Sequence, residues 1–245
     1  MRTHSPRLLI SLFIILSFCL APFSHPLKAE NPPNIVLIFC DDLGYGDLGV
    51  YGHPTIQTPK LDRMAAEGMK FTQFYSANAV CSASRASLLT GRYPPRHGTL
   101  GVYFHHHDTG LNPEEFTLAE GLKAEGYSTA CIGKWHLGHK KPYLPLAQGF
   151  DSYLGVPYSN DMAVDPSMPF ADDARFGAGW SLEKVRSYDL EDNKPPRNLV
   201  PLLRDNEVIE FPTDQALLTQ KYTNAALSFI SENKDRPFFL YLAHT

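Results

Sequence analysis

The stretch Asn34-Ile-Val-Leu-Ile-Phe-Cys-Asp-Asp-Leu-Gly44 joins a continuous apolar run to two adjacent carboxylates. A short apolar run of this kind is typical of a strand that is buried on both faces, as in a parallel sheet covered by helices. Ligands of such sheets bind outside the carboxyl ends of the strands. Asp41 and Asp42 are therefore candidate ligands of a hard cation such as Ca²⁺ or Mg²⁺, which would relieve their mutual repulsion. A turn with an Asp helix cap is the alternative.

Two further apolar runs predict strands that end in polar residues. The run Ser128–Ile132 leads into Gly133-Lys134-Trp135-His136, and the run Phe238–Ala243 ends at His244. Residues two apart on an extended chain face the same side, so Lys134 and His136 would face one site together. Because helical patterns separate the runs, the sequence predicts an α/β fold with a largely parallel central sheet sandwiched by helices.

Local signals predict several of the remaining elements. Residues typical of helix N-termini stand at Thr58, at Asn112 and at Asp214. Alternation of apolar and polar residues over positions 70–75 predicts a short strand. The dipeptide Asp205-Asn206 lies between two apolar runs and predicts a β-hairpin.

A candidate nucleophile opens the stretch Cys81-Ser-Ala-Ser-Arg-Ala-Ser-Leu-Leu-Thr-Gly-Arg92. The pattern places the thiol of Cys81 at the start of a helix, where free N–H groups and the helix dipole favour an anion. Arg85 follows one turn later and would present two donors to the same anion. The alternative is a buried structural cysteine beside a surface arginine.

Residues 1–29 are typical of a secretory signal peptide. Arg2 and Arg7 form a basic start, residues 8–20 are apolar, and Ala29 is a small residue suited to cleavage. We therefore expect export to the periplasm or the medium, with no stable membrane span after cleavage. An uncleaved anchor is the alternative. Residues 30–245 would form the folded part.

Charge and cysteine content narrow the function further. The net charge is −4 at pH 7 and no basic tract is present, which argues against nucleic acid as a partner. Cys40, Cys81 and Cys131 would remain after cleavage, and an odd, sparse count does not indicate a disulfide framework. At least one thiol is therefore left for chemistry.

If the three strand ends and the helix start converge, they combine a metal site, several cationic donors and a nucleophile. These groups are suited to the transfer of a tetrahedral oxyanion such as a sulfuryl or phosphoryl group. The residues alone do not decide between the two.

Histidines elsewhere in the chain carry weaker signals. The adjacent residues His105, His106 and His107 cannot turn all their rings to one centre on a regular element. We expect them in a solvated loop or in contact with substrate rather than in a metal site. His139 and Lys140 are expected on a loop surface.

Two long motifs resemble the signatures of the type I sulfatases, a family of the alkaline phosphatase superfamily that includes arylsulfatases and N-acetylgalactosamine-6-sulfatases. The stretch from Cys81 to Arg92 is similar to the first signature, and Gly126 to His136 is similar to the second. The resemblance extends from Asn34 to Thr245. It implies an alkaline phosphatase-like fold in which residues 30–245 are the N-terminal part of the catalytic domain.

The resemblance implies an unusual nucleophile and a metal ion. Cys81 would be converted to 3-oxoalanine (formylglycine) by a formylglycine-generating enzyme or another maturase. One hydroxyl of the aldehyde hydrate would attack sulfur, and the other would expel sulfate by re-forming the aldehyde. Asp41, Asp42 and Cys81 would bind one Ca²⁺ ion. The reaction would be hydrolysis of a sulfate ester, carried by a sulfated carbohydrate or by a small aryl sulfate.

The same resemblance assigns roles to five other residues. Arg85 and Lys134 would hold the formylglycine oxygen, and Lys134 would also contact sulfate. His136 would help to deprotonate the second hydroxyl. His244 would contact sulfate or the leaving oxygen, and Ser159 would lie near the sulfate.

Two departures from the family pattern accompany the resemblance. Ala83 stands where the family usually has proline. The family also supplies an Asp-Asn pair and a lysine from a later segment, so the calcium site is expected to be incomplete within residues 1–245. A phosphate or phosphonate ester hydrolase, or an inactive module that binds an anion or a glycan, are the alternatives.

Overall fold

The computed structural model describes residues 32–245, and the predicted signal peptide over residues 1–29 lies outside this range. A seven-stranded mixed sheet with helices packed against it forms the centre of the fold. The order of the strands across the sheet is β1-β7-β2-β3-β5-β6-β4. The strands are β1 Ile35–Cys40, β2 Ser128–Gly133, β3 Ser152–Gly155, β4 Phe170–Phe176, β5 Leu202–Arg204, β6 Glu207–Phe211 and β7 Phe238–His244.

Within the described residues, six α-helices and several short 3₁₀ turns accompany these strands. Among residues 32–245, none of the helices has the length and apolar character needed to cross a membrane. The helices are α1 Pro59–Glu67, α2 Cys81–Thr90, α3 Pro94–His97, α4 Leu118–Ala124, α5 Leu182–Arg186 and α6 Leu218–Asn233.

The three strands predicted from apolar runs are neighbours in the sheet. Strand β7 lies between β1 and β2 and pairs with both in parallel, so that Cys40 is opposite His244 and Gly133 is opposite Ala243. Strand β3 continues the parallel arrangement beside β2. The prediction that three polar strand ends share one edge of a parallel sheet is confirmed.

The other half of the sheet is mixed. Strands β5 and β6 form the antiparallel hairpin predicted at Asp205-Asn206, and Asp205 adopts a left-handed backbone with φ of 55°. Strand β5 also pairs with β3 in antiparallel orientation, whereas β4 runs parallel to β6. Four of the six strand pairings are therefore parallel.

Strand β1 corrects one detail of the sequence analysis. Its continuous apolar run predicts burial on both faces, but the side chains of Val36 and Ile38 are 45% and 50% exposed. Ile35, Leu37 and Phe39 point to the opposite face and pack against the core. Within residues 32–245 β1 has a strand neighbour on one side only, and one face is left uncovered.

Two local predictions were wrong and two were right. Helix α4 begins after Thr117 and not near Asn112, because the Thr117 hydroxyl and the Glu120 carboxylate form a capping box. Residues 70–75 contain no strand. Helix α1 lies where Thr58 and Pro59 predict it. Asp214 caps the 3₁₀ turn that leads into α6.

Candidate active site

The carboxylate of Asp41 holds two buried cations at the end of β1. Its Oδ1 lies 3.0 Å from Nη2 of Arg85, and its Oδ2 lies 2.5 Å from Nζ of Lys134. The Arg85 and Lys134 side chains are 0% and 1% exposed. Burial alone would raise the pKa of Asp41, but hydrogen bonds and charges from Lys134 and Arg85 outweigh burial and hold this pKa below its usual value.

Arg85 is fixed by more than this ion pair. Its Nη1 donates to the backbone carbonyl of Lys134 at 2.8 Å and to Oη of Tyr241 at 3.3 Å. Its guanidinium carbon lies 5.2 Å from the ring centroid of Phe39. Within residues 32–245, the buried Nε has no hydrogen-bond partner. A guanidinium held by these four contacts is rigid and keeps N–H donors that are not used within the described residues.

Cys81 is the first residue of α2, as the sequence predicts. The preceding residue, Val80, has no side chain that can cap the helix, so the first N–H groups lack a side-chain acceptor. Cys81 is a free, half-buried thiol. Ala83, which stands in place of the family's proline, is fully buried in the first turn, where alanine favours helix.

Cys81 and Asp42 line the same cavity, which has a volume of about 560 Å³. Asp42 has a left-handed backbone with φ of 55° and an exposed side chain, in contrast to the paired carboxylate of Asp41. Aromatic residues form much of the wall and include Phe39, Tyr45, Tyr51, Phe71, Phe74 and Tyr75.

His136 lies beside the cations but is held by a different element. Its backbone φ is 58°, and its Nε2 lies 3.0 Å from the carbonyl of Tyr103. Because a carbonyl only accepts, Nε2 carries the proton and Nδ1, which is buried without a partner, presents a lone pair. Burial, together with the charges of Lys134 and Arg85, lowers the pKa of His136 to about 3. The imidazole is therefore neutral at pH 7.

The remaining predicted residues lie at different distances from the cations. The Oγ of Ser159 is 3.5 Å from Nζ of Lys134. His244 ends β7, and its ring centroid lies 6.4 Å from that of Tyr222 on α6. Burial lowers the pKa of His244. Within residues 32–245 no hydrogen bond or ion pair joins His244 to Asp41, Arg85 or Lys134.

A second buried polar group was missed by the sequence analysis. His139 was expected on a loop surface, but it is 3% exposed and its Nε2 lies 2.8 Å from Oδ2 of Asp165. Lys140 pairs with the same carboxylate. The segment around Asp165 has no regular pattern, so the sequence offers no signal that links these residues.

Calcium was predicted at Asp41 and Asp42, and the described residues fit it only in part. No group of three or more His, Cys, Asp or Glu side chains within residues 32–245 is arranged to hold a metal ion. Both oxygens of Asp41 bind cations, and Asp42 alone offers a free carboxylate. Because Ca²⁺ takes six to eight oxygen ligands, these residues do not complete a site.

Comparison with known proteins places the chain in a family. The Sulfatase family model matches residues 33–245. The chain is 42% identical over 234 residues to an N-acetylgalactosamine-6-sulfatase of Canis lupus familiaris, with 88% of this chain and 40% of the relative covered. It is 42% identical over 238 residues to arylsulfatase G of Mus musculus, with 92% and 43% covered.

A solved structure shares the fold described above. The structure of Ps i-CgsB in complex with k-i-k-neocarrahexaose matches with a TM-score of 0.72 and 30% identity, and the match covers 87% of this chain and 45% of that one. The chain thus spans about two fifths of the length of the curated relatives it matches. Since the family match extends from β1 through both motifs to the last strand, the chain belongs to the sulfatase family.

Proposed function

We propose that the intact protein hydrolyses sulfate esters. The observation that carries this proposal is the pair of buried cations, Arg85 and Lys134, fixed by Asp41 beside a helix that begins with Cys81. Two fixed cations and a helix N-terminus stabilise the negative charge of a sulfuryl group in transfer. Family membership supports the same reaction.

The nucleophile proposed is formylglycine, formed from Cys81 by a maturase. When present, the hydrated aldehyde would supply one hydroxyl that displaces the ester alcohol from sulfur, with a proton passing to the leaving oxygen, and a second hydroxyl whose deprotonation would re-form the aldehyde and release sulfate. Arg85 and Lys134, which Asp41 holds through its two carboxylate oxygens, would orient the hydroxyl oxygens of the hydrate. His136 would accept a proton at Nδ1, the nitrogen that has a free lone pair. Ser159 would contact the sulfate through its position near Lys134.

We also propose that Ca²⁺ and His244 take part in the reaction. The proposed calcium ligands within residues 32–245 are Asp41, Asp42 and residue 81. Of the two carboxylates, Asp41 is paired with Arg85 and Lys134, whereas Asp42 has no ion pair in this range. His244 would contact the sulfate or the leaving oxygen, since it ends the strand that neighbours β1.

The proposed substrate class is a sulfated carbohydrate. The name of one relative specifies a sulfate on the 6-position of N-acetylgalactosamine, and a similar solved structure holds a neocarrahexaose. A small aryl sulfate would serve as a test substrate of the same reaction. We also propose that residues 1–29 direct export.

Turnover of matched substrates tests this proposal. The intact protein should hydrolyse 4-nitrophenyl sulfate in preference to 4-nitrophenyl phosphate. Mass spectrometry of the tryptic peptide Phe71–Arg85 should show the mass loss of thiol-to-aldehyde conversion. Cys81→Ser should reduce kcat/KM by more than about a thousandfold while circular dichroism stays unchanged, because no other group offers the geminal hydroxyls. An unmodified thiol together with absent sulfate hydrolysis would contradict the proposal, and faster phosphate hydrolysis would favour a phosphatase.

A further inference from the structure

The three-histidine loop is tied to the candidate active site at Tyr103. The N–H of Tyr103 donates to Oγ of Ser82, the residue after Cys81, at 3.1 Å. Its carbonyl accepts from Nε2 of His136 at 3.0 Å. His105 follows only two residues later. The loop is therefore anchored on both the helix of the candidate nucleophile and the imidazole beside the cations.

The ring of His105 approaches the site from the other direction through Tyr158. The two ring centroids are 6.1 Å apart, and Tyr158 is fully buried. The next residue, Ser159, lies 3.5 Å from Nζ of Lys134. The half-buried ring of His105 is therefore connected to Lys134 through Tyr158 and the adjacent Ser159.

One nitrogen of His105 lacks a partner. In the part of the chain that the structure describes, Nδ1 is buried and makes no hydrogen bond. Burial, followed by the nearby charges of His106 and His139, lowers the pKa of His105 to about 4, so the ring is neutral at pH 7. Buried polar atoms in proteins are nearly always hydrogen-bonded, and an exception at a site rim indicates a ligand or a water.

The wall behind this ring is rigid. His139 packs against Tyr158 with ring centroids 5.5 Å apart, and its Nε2 lies 2.8 Å from the buried carboxylate of Asp165. On the solvent side, the ring of Phe104 is 41% exposed and stacks on His106, with centroids 5.5 Å apart and 13° between the planes. A fixed wall with exposed aromatic faces is typical of a ligand site.

We propose that Phe104, His105 and His106 form the subsite for the sugar ring that carries the sulfate, an inference that rests on the proposed function. A neutral imidazole has one nitrogen that donates a hydrogen bond to a hydroxyl group and one that accepts a hydrogen bond from it. Aromatic faces pack against the C–H faces of a pyranose. The ligand class that these groups suit is a polyhydroxylated ring.

Specificity ratios test the subsite in the intact enzyme. The measurement is kcat/KM for the 6-sulfates of N-acetylgalactosamine, N-acetylglucosamine and galactose, each divided by kcat/KM for 4-nitrophenyl sulfate. His105→Ala should lower the ratio for the preferred sugar about tenfold, the effect of one lost hydrogen bond. His105→Asn, whose amide can occupy the place of Nδ1, should recover part of the loss. His53→Ala, which removes an imidazole outside the site, should leave the ratio within about twofold.

Binding of the three unsulfated sugars separates this inference from the proposed reaction. Saturation-transfer NMR should detect at least one of them on the wild-type protein and a weaker signal on His105→Ala. If the sugars bind through His105 but no sulfate is hydrolysed, the proposed reaction fails and the subsite stands. If sulfate esters are hydrolysed but the ratio and the sugar signal are unchanged in His105→Ala, the subsite is wrong. Absence of sugar binding to the wild type would also overturn it.

Discussion

Asp41 and Asp42 are adjacent and chemically identical, yet the fold gives them opposite environments. Asp41 is four-fifths buried and holds Arg85 and Lys134, whereas Asp42 is exposed in a left-handed backbone and lines the cavity. The difference arises because one side chain faces the buried cations of neighbouring elements and the other faces solvent. We therefore expect Asp41 to stabilise the fold and Asp42 to be available for ligand binding.

Asp41→Asn should lower the free energy of unfolding by about 3 kcal/mol, because it leaves two buried cations without their counter-charge. Urea unfolding at pH 7 in the presence of a calcium chelator measures the change. Asp42→Asn is the matched control and should stay within about 0.5 kcal/mol of the wild type, since its side chain has no ion pair in the described residues. Equal losses in both variants would mean that the ion cluster does not stabilise the fold.

At the scale of elements, the site depends on two glycines that let strand ends approach closely. Gly133, the last residue of β2, has φ of 113°, and a Cβ at this position would lie 1.8 Å from the carbonyl oxygen of Ala243 on β7. A Cβ at Gly155 of β3 would lie 1.7 Å from the carbonyl oxygen of Gly133. These close approaches place Lys134 directly after the packed end of β2.

Gly133→Ala should destabilise the protein by about 3 kcal/mol or more, because backbone atoms of β7 cannot yield to the added carbon and the left-handed φ is strained. Thermal unfolding followed by circular dichroism measures the effect. Gly101→Ala is the control, since no atom lies within 4 Å of its added Cβ, and it should change stability little. A neutral Gly133→Ala variant would show that β2 and β7 are free to separate.

At the scale of the whole molecule, histidines with lowered pKa values make stability sensitive to acid. Within residues 32–245, five histidines have pKa values that are lowered chiefly by full or partial loss of solvent, and they are His97, His105, His106, His136 and His244. A histidine that stays neutral in the folded state binds a proton only after unfolding. Below pH 6.5 the unfolded state therefore gains protons, and stability falls as the pH decreases. Carboxylates with lowered pKa values add to this loss only at lower pH.

The largest pKa shift among these histidines, that of His136, gives a direct test. Its pKa is about 3 in the folded protein and 6.5 in the reference state, so the stability it contributes is complete above pH 6.5 and decreases down to about pH 3. Between about pH 7 and pH 4.5, the free energy of unfolding of the wild type should fall by roughly 2 to 3 kcal/mol more than that of His136→Gln. The glutamine amide can still donate to the carbonyl of Tyr103. Urea unfolding at both pH values measures the difference. Parallel losses would mean that His136 is not buried in its neutral form.

Much of the site could be predicted because its signals are local. The apolar run before Asp41, the helix start at Cys81 and the strand before Lys134 are each encoded by neighbouring residues, and the structure has all three elements at those positions. Parallel pairing of β1, β7 and β2 agrees with the pattern of apolar runs separated by helices, although β1 is buried on one face only. The sequence by itself therefore determined the α/β class and the elements that carry the candidate residues.

Only the tertiary structure decided which of these residues meet. Asp41 rather than Asp42 holds the cations, His244 faces Tyr222, and His139 is buried against Asp165, although none of these contacts follows from spacing along the chain. Each depends on side chains 22 or more positions apart whose distance is set by how the sheet and helices pack. Chain periodicity reports which face of an element is buried, but not which distant group lies against that face.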